Sequence, residues 1–356
     1  MTSPPSPARR QFLKTLTTTV AVVGTGPTLL GMSDKAGRRR PIVGSGAYTY
    51  EVHHDWGELP ATLKYGNTHG VCVDAQQHVY VHHTVHADSE SRDTMVVFDH
   101  QGRFVRSWGP QFAGGAHGLH LVREGSDEFL FLCDTRRAIV AKVTTKGEPV
   151  WELGYPRESE RYPVNADGSP AIKYSPTNVA VAPNGDIYVA DGYGSSYINQ
   201  YTARGRFIRT FGGKGTRAGQ LDCPHGLMVD TRGADPVLLV ADRSNRRLQT
   251  FALDGTPLDL YEGFPHPCHF AEHNGLVVVP DLHARVTLID RTNTIVAQLG
   301  EAPPDSWVGI RSGPRDLFPE GRFVCPHSAC FDQAGNIYVV EWVEVGRVTK
   351  LRKVDS

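Results

Sequence analysis

The chain has 356 residues, 40% of them hydrophobic, with 37 basic and 38 acidic side chains. A chain of this length and composition can bury a sizeable core, which excludes a disordered or low-complexity protein. The charge is uneven, because residues 1–40 hold seven Lys or Arg and one Asp, leaving residues 41–356 with a net charge of −7. A mildly acidic body has no electrostatic attraction for nucleic acid or anionic lipid, so we expect neither as a partner.

Residues 1–40 have the features of an export signal. The stretch 8–14 reads Ala-Arg-Arg-Gln-Phe-Leu-Lys, and a mildly apolar run follows over residues 16–30. Paired arginines before such a run are typical of twin-arginine signals, and this run is too short and too polar to span a bilayer comfortably. We therefore expect residues 1–40 to direct export to the periplasm or the exterior without stable membrane insertion. Residues 41–356 should form the folded domain.

Six segments of the folded part begin alike, at steps of 48, 61, 47, 44 and 58 residues from one to the next. Their openings are Thr68-His69-Gly70-Val71, Ala116-His117-Gly118-Leu119, Thr177-Asn178-Val179-Ala180, Pro224-His225-Gly226-Leu227, Cys268-His269-Phe270 and Pro326-His327-Ser328-Ala329. Each leads into alternating apolar runs with glycine turns, a pattern that favours short β-strands. Repeated short strands at this period are typical of propeller blades, so we predict an all-β, six-bladed β-propeller.

Two further features concern the ends and the rim of this ring. The last repeat runs out of chain at residues 348–354, whereas residues 47–52 alternate like a strand. We predict that this N-terminal strand completes the last blade, so that no sheet edge stays open. Insertions at Gly154 to Tyr174 and Gly300 to Val324 each precede an inner strand, and long loops on one face of a propeller usually shape a ligand mouth.

Histidine stands in five of the six openings, and Asn178 stands in the other. Equivalent positions in a closed ring face one axis, and convergent imidazoles are suited to hold a metal. His117, His225 and His327 fall on alternate blades, which gives near three-fold geometry. Three imidazoles leave a fourth position for water or substrate, as in a catalytic zinc site. The alternative is that these histidines only form hydrogen bonds in a polar channel.

The six cysteines include no Cys-x-x-Cys pair, so a zinc-ribbon site is disfavoured. Cys223, Cys268 and Cys325 each lie one or two residues before a histidine. They are candidates for thiols that line the channel or for a disulfide, which an exported protein could form.

The repeat resembles a known propeller family. Residues 242–251 read Asp-Arg-Ser-Asn-Arg-Arg-Leu-Gln-Thr-Phe after a Val-Ala pair, which resembles the NHL repeat. The resemblance covers essentially all of residues 41–356. It implies a fold and not a function, because such propellers include binding modules and enzymes.

One enzyme family matches more closely. The chain resembles the peptidyl-α-hydroxyglycine α-amidating lyases in four motifs, at residues 224–227, 240–249, 189–193 and 326–327. The resemblance implies that the three alternate-blade histidines hold zinc, that Tyr193 is the catalytic tyrosine and that Arg243 faces the substrate. A tyrosine near a dication and a guanidinium has its anion favoured, and Arg243 offers a fork for a carboxylate or carbonyl. Alternatively, Tyr193 packs between blades and Arg243 pairs with a neighbouring acid.

Several positions depart from that family. The first-blade Phe-His-Arg of the family is His82-His83-Thr84 here, so its catalytic arginine is replaced by Thr84 while His83 matches. Ser328 stands where the family has an acid that helps to hold calcium, which disfavours calcium here. Extra nitrogen ligands would suit iron or copper instead of zinc, or a second metal. The residues that we consider as further channel ligands or substrate contacts are His69, His269, Asn178, His83 and Thr84.

The leading functional hypothesis is an exported, metal-dependent lyase that cleaves a C–N or C–O bond of a small polar molecule. A metal-dependent hydrolase such as a lactonase is a second hypothesis, although a histidine-dominated channel argues against its usual calcium chemistry. A redox enzyme that uses copper or iron is a third, and a non-catalytic binding propeller, which would hold no stoichiometric metal, is a fourth.

Overall fold

The computed structural model describes residues 32–33, 39–303, 306–307 and 309–354. The predicted export signal therefore lies almost entirely outside the described residues. In the described part, six antiparallel sheets follow one another along the chain, and their inner strands surround one axis. The predicted all-β, six-bladed propeller is confirmed. No helix in the described ranges is long and apolar enough to cross a membrane.

Each blade is a meander of strands that runs outward from the axis. Blade 1 comprises Thr68–Val73, Val79–His83, Met95–Phe98 and Phe104–Trp108. Blade 2 comprises Ala116–Glu124, Asp127–Asp134, Ile139–Thr144 and Pro149–Leu153, and blade 3 comprises Asn178–Val181, Ile187–Ala190, Tyr197–Tyr201 and Phe207–Gly212. Blade 4 comprises Pro224–Asp230, Val237–Asp242, Arg247–Ala252 and Pro257–Glu262, and blade 5 comprises Ala271–His273, Leu276–Asp281, Arg285–Ile289 and Ile295–Leu299. Blade 6 comprises Pro326–Phe331, Ile337–Glu341, Arg347–Lys353, Tyr50–His54 and Ile42–Val43.

The remaining regular elements are short. Met32–Ser33 pairs with Arg39–Arg40 outside the blades. The described residues contain four single-turn 3-10 helices, at Gly46–Tyr48, Pro110–Phe112, Arg243–Asn245 and Arg315–Leu317.

An N-terminal strand closes the ring, as the alternation near residue 50 predicts. Tyr50–His54 pairs antiparallel with Arg347–Lys353, with Val52 opposite Leu351. The strand begins three residues later than the alternation suggests, because Gly46–Tyr48 forms a helical turn first. Blade 6 is thus built from both ends of the described chain, which joins it covalently to blade 1 and protects a sheet edge from foreign strands.

Apolar side chains fill the wedges between neighbouring blades. Between blades 3 and 4, for example, Tyr188 and Ile198 pack with Leu227 and Val240, and all four are almost completely buried. Five similar clusters occupy the other interfaces, and a seventh lies beneath the 300–324 insertion. Because interiors pack at near-crystalline density, this arrangement holds the inner strands in fixed positions around the axis.

Buried acids at the ends of second strands tie down the loops on the histidine face. Asp242 accepts a hydrogen bond from the amide of Asp222 at 2.7 Å and pairs with Arg247 at 2.8 Å. Glu341 and Arg347 form the same pair in blade 6, and both side chains are fully buried. The run that ends in an acid, visible in the sequence, is therefore an anchor for the loops that carry the site.

Breaking one such anchor should destabilise the protein strongly. Arg247→Met leaves Asp242 buried without its cation, which typically costs about 3–5 kcal/mol of unfolding free energy. Urea unfolding followed by fluorescence measures the loss. As a control, Arg103→Met removes an exposed pair with Asp99 and is expected to leave the unfolding midpoint unchanged. Equal midpoints for both variants would show that the buried pair contributes nothing.

Candidate metal centre

The strand register defines which residues are equivalent among the blades. Pro224 lies opposite Asp242, Pro326 opposite Glu341, and Thr68 opposite His83. The residue after each of these first partners is a histidine. Ala116 lies opposite Asp134 in the same way. His69, His117, His225 and His327 therefore occupy one equivalent position in blades 1, 2, 4 and 6.

Two of the expected equivalences are wrong by one residue. Pro267 bridges Asp281 in blade 5, so Cys268, and not His269, takes the shared position. In blade 3 Asn178 lies opposite Ala190, just as Ser328 lies opposite Val340 in blade 6. Thr177, and not Asn178, therefore takes the position that His327 has in blade 6. The openings differ in the residues around the histidine, and only the pairing with the second strand reveals the offset. The acid that ends that strand was the available sequence signal.

The four equivalent histidines meet on the axis. Rings of the alternate-blade set are evenly spaced, with centroid distances of 4.9 Å for His117–His225, 4.9 Å for His117–His327 and 4.7 Å for His225–His327. His69 lies 4.8 Å from His117 and 4.6 Å from His327. All four side chains are buried, His69 being the most exposed at 7%.

Backbone carbonyls fix the orientation of three of these rings. Nδ1 of His117 lies 2.8 Å from the carbonyl oxygen of Thr177, and Nδ1 of His225 lies 2.9 Å from that of Cys268. Nδ1 of His327 lies 2.8 Å from the carbonyl oxygen of His69. A carbonyl only accepts, so each Nδ1 carries the hydrogen and each Nε2 keeps a lone pair. A hydrogen bond of this kind is what orients a metal-binding histidine.

The glycine that follows two of the histidines permits this contact. A Cβ at Gly118 would lie 2.3 Å from the carbonyl oxygen of Thr177, and one at Gly226 would lie 2.5 Å from that of Cys268. Any larger residue would push away the carbonyl that receives the imidazole hydrogen. At these two positions the close approach of the neighbouring carbonyl therefore requires glycine.

The cluster is electrically neutral at neutral pH. Burial lowers the pKa of His117 to about 3, and it lowers the pKa values of His69, His225 and His327 well below their ordinary value. Neutral imidazoles with free lone pairs are the form that binds metal. The ligand atoms of His69, His117 and His327 all lie within 4.8 Å of one another.

Tyr193 and Arg243 complete the centre. The Tyr193 hydroxyl lies 3.1 Å from Nε2 of His117 and 3.0 Å from Nε2 of His225. A phenol has one hydrogen, so it satisfies only one of these two acceptors. The other lone pair has no donor in this arrangement, whereas a cation on the axis would satisfy both. The residues therefore fit a metal ion.

Arg243 contacts Tyr193 and carries a charge that no acid neutralises. Its Nη1 donates to the Tyr193 hydroxyl at 3.4 Å, and its Nη2 lies 3.1 Å from Sγ of Cys223. Asp242, the neighbouring acid, pairs with Arg247 instead. Within the described ranges no carboxylate lies at ion-pair distance from Arg243. Burial raises the pKa of Tyr193, and the Arg243 guanidinium acts in the opposite direction.

Three of the other candidate residues accept hydrogen bonds from nearby backbone amides. Nδ1 of His83 accepts from the amides of Val85 and Gly66, at 3.1 and 3.4 Å, so this histidine replaces the acid that anchors the loop in other blades. Thr84 accepts from the amide of Asn67 at 3.1 Å, and Asn178 accepts from the amide of Val179 at 2.8 Å. None of these three belongs to the histidine cluster.

His269 lies deeper in the channel than the cluster. It lines a cavity of about 310 Å³ together with His120, Cys72 and Cys330. Burial lowers the pKa values of His269 and His120 to about 4. All six cysteines are free thiols, and Cys268 contributes its carbonyl to the site.

The 300–324 insertion brings a residue that sequence reasoning missed. The guanidinium of Arg311 lies 3.3 Å from the centroid of the Trp342 ring, and its Nη2 donates to Oδ1 of Asn67 at 3.1 Å. Its charge helps to lower the pKa of His69. No local motif marks Arg311, because only the fold of the insertion brings it beside the mouth.

Acidification should destabilise the metal-free protein. The buried histidines have pKa values below the ordinary 6.5, about 3 for both His82 and His83, so the unfolded chain binds more protons. Their contribution is complete above about pH 6.5 and is lost as the pH falls. Burial raises the pKa of Asp191 to about 6, and it also raises the pKa values of Asp134, Asp242 and Asp281. These acids act in the opposite direction, but the buried histidines are more numerous. Urea midpoints measured with chelator should be lower at pH 5 than at pH 7; an equal or higher midpoint at pH 5 would contradict this.

Known proteins resemble this chain in sequence or in fold. No protein-family model matches the chain. Peptidyl-glycine alpha-amidating monooxygenase B of Xenopus laevis is 30% identical over 227 residues, which is 56% of this chain and 24% of that protein. Peptidyl-alpha-hydroxyglycine alpha-amidating lyase 1 of Drosophila melanogaster is 31% identical over 162 residues, covering 42% of this chain and 27% of that protein. The chain is an NHL-repeat propeller that resembles the amidating lyases. It spans about a quarter of the length of the first curated relatives that it matches.

Other relatives of this amidating-lyase-like propeller share the repeat or the fold. NHL repeat-containing protein 3 of Homo sapiens is 25% identical over 214 residues, which is 58% of this chain and 57% of that protein. A streptogramin B lyase superimposes with a TM-score of 0.57 at 14% identity, over 86% of this chain and 99% of that one. A putative gluconolactonase gives 0.53 at 14% identity, over 86% and 94%. Likeness at such low identity concerns the fold alone.

Proposed function

We propose that the protein is a metal-dependent lyase that cleaves the C–N bond of a small carbinolamide with a carboxylate nearby, as in an α-hydroxyglycine terminus. The observation that carries this proposal is the triad of His117, His225 and His327, whose rings are evenly spaced and are each oriented by a backbone carbonyl. Tyr193 lies beside this triad, and so does Arg243, which has no carboxylate at ion-pair distance among the described residues. The similarity to proteins named amidating lyases supports it.

The triad would hold the ion through the three Nε2 atoms, with zinc as the leading candidate and iron or copper as alternatives. A bound ion supplies a Lewis acid that polarises a substrate oxygen and stabilises negative charge there. The His117, His225 and His327 side chains are held ready for this role by their hydrogen bonds to the next blade. No acidic side chain belongs to the group of close ligand atoms among the described residues, which argues against calcium and a calcium-dependent lactonase.

The other residues suit proton transfer and orientation. Arg243 would bind the substrate carboxylate, because a buried guanidinium without an acid favours an anionic ligand. Tyr193, as its phenolate, would take the proton of the substrate hydroxyl. The C–N bond then breaks as the carbonyl forms, and the same proton passes to the departing nitrogen. The products would be an amide and an aldehyde acid, with no net gain or loss of protons.

An assay with purified protein tests this function. A peptide that ends in α-hydroxyglycine should yield the peptide amide and glyoxylate in equal amounts, with about one equivalent of metal in the protein. Failure to turn over this substrate or related carbinolamides, with metal bound, would reject the lyase. Absence of stoichiometric metal would instead favour a binding propeller.

We also propose that residues 1–40 direct export by the twin-arginine route and that residues 41–356 form the mature domain. The paired arginines at positions 9 and 10 support this proposal. Changing both to lysine should retain the full-length precursor in the cytoplasm, whereas the unchanged chain should be found outside it. Equal export of both forms would contradict the twin-arginine route.

A further inference from the structure

His69 is as close to His327 and His117 as the histidines of the triad are to one another. It comes from blade 1, between His327 of blade 6 and His117 of blade 2. Its ring centroid lies 4.6 Å from the first and 4.8 Å from the second, against 4.7–4.9 Å within the triad. A close approach of inner strands brings it there, since a Cβ at Gly70 would lie 2.5 Å from Cβ of Leu119.

One pair of nitrogen atoms is spaced as two ligands of one ion would be. Nδ1 of His69 lies 3.4 Å from Nε2 of His327. Metal–nitrogen bonds of about 2.0–2.1 Å place two ligands of a tetrahedral ion roughly 3.3 Å apart. Ligand atoms of His69, His117 and His327 also form the one compact group of potential metal ligands that the described residues contain.

A hydrogen bond between the same two nitrogen atoms is the competing interpretation. Nδ1 of His327 gives its hydrogen to the carbonyl oxygen of His69, so Nε2 of His327 is an acceptor. If Nδ1 of His69 donated to that atom, it would use the lone pair that points towards the axis. The triad would then lose one of its three ligands, although all three rings are oriented in the same way, by a hydrogen bond from Nδ1 to a backbone carbonyl of the next blade.

We propose that His69 is a fourth protein ligand of the axial ion, a proposal that rests on the metal site proposed above. With His69, the ion has four imidazole ligands, and a further position is needed for the substrate oxygen. Zinc sites with three protein ligands leave that position within a tetrahedron. Four imidazoles instead favour an ion that readily accepts five ligands, and imidazole suits copper, iron and nickel as well as zinc.

The test counts nitrogen ligands in the full chain. The protein is freed of metal with chelator, reloaded with one equivalent of Cu(II), and studied by electron paramagnetic resonance with electron spin echo envelope modulation. Wild type should show four imidazoles, and His69→Ala should show three. Titration with Zn(II) should give at least a roughly tenfold weaker affinity for His69→Ala. His120→Ala removes a channel histidine that contacts the deeper cavity, and it should match wild type in both measurements.

The outcomes separate this inference from the proposed function. Four nitrogens in wild type support it even if His69→Ala fails to fold, which circular dichroism reveals. Three nitrogens in both proteins, with equal zinc affinity, would overturn it and leave His69 as a hydrogen-bond donor. A wild type that binds neither ion stoichiometrically would overturn the metal site itself.

Discussion

Replacing His225 with glutamine is expected to weaken the binding of the axial ion and to abolish activity. His225 is 1% exposed, and its Nε2 is one of three that converge from alternate blades. Glutamine retains an N–H that can donate to the Cys268 carbonyl, so the local fold should survive while the ligand is lost. Loss or displacement of the ion removes several kcal/mol of electrostatic stabilisation, which corresponds to a loss of at least about a thousandfold in kcat.

The measurements for His225→Gln are the affinity for Zn(II), metal content by elemental analysis, and kcat. His100→Gln is the matched control, because His100 is exposed on a turn, and it should keep both metal and activity. A His225→Gln protein with wild-type metal affinity and wild-type turnover would show that His225 is not a ligand of the ion. Circular dichroism on both variants separates loss of the ion from loss of the fold.

The fold was predictable because its signals are local and repeated. Short alternating runs such as Ile187–Ala190, each followed by a turn, recur six times, and only a closed ring lets every repeat bury two faces against neighbours. The closing strand Tyr50–His54 could be predicted for the same reason, since blade 6 lacked an outer strand.

The site was predictable in part. His117, His225 and His327 can be identified in the sequence because they recur at similar spacings, of 108 and 102 residues, on alternate blades of a closed ring. His269 was wrongly aligned with the histidines of the other blades. The one-residue offset in blade 5 depends on the pairing of Pro267 with Asp281, which the sequence alone does not show. Arg311 left no signal at all, since its position depends on how a long insertion folds over Trp342.

The environment of Tyr193 explains why a metal matters for a tyrosine base. In the protein alone, burial raises the pKa of Tyr193, and Arg243 only partly opposes this. The hydroxyl faces two Nε2 lone pairs, at 3.1 and 3.0 Å, which also disfavour a phenolate. A dication bound by those same atoms would reverse the local electrostatics. Base function of Tyr193 should therefore depend on an occupied site.

Tyr193→Phe is expected to lower kcat by about 10²–10⁴-fold, the usual contribution of a positioned general base. KM should change little, because Arg243 remains to bind the substrate. The phenyl ring can keep the edge contacts that Tyr193 makes with His117 and His225, at centroid distances of 4.9 and 5.5 Å. Metal content should therefore stay near that of wild type, and this separates loss of the base from loss of the ion.

Tyr174→Phe is the matched control for the hydroxyl. Tyr174 is buried in the insertion on the same face, and its hydroxyl has no hydrogen-bond partner among the described residues. Its removal should leave kcat within about twofold, as expected for a group that makes no bond. If Tyr193→Phe also kept kcat within that range, the proton would have to pass to another group. If both variants lost activity equally, with metal retained, packing on this face and not the Tyr193 oxygen would explain the effect.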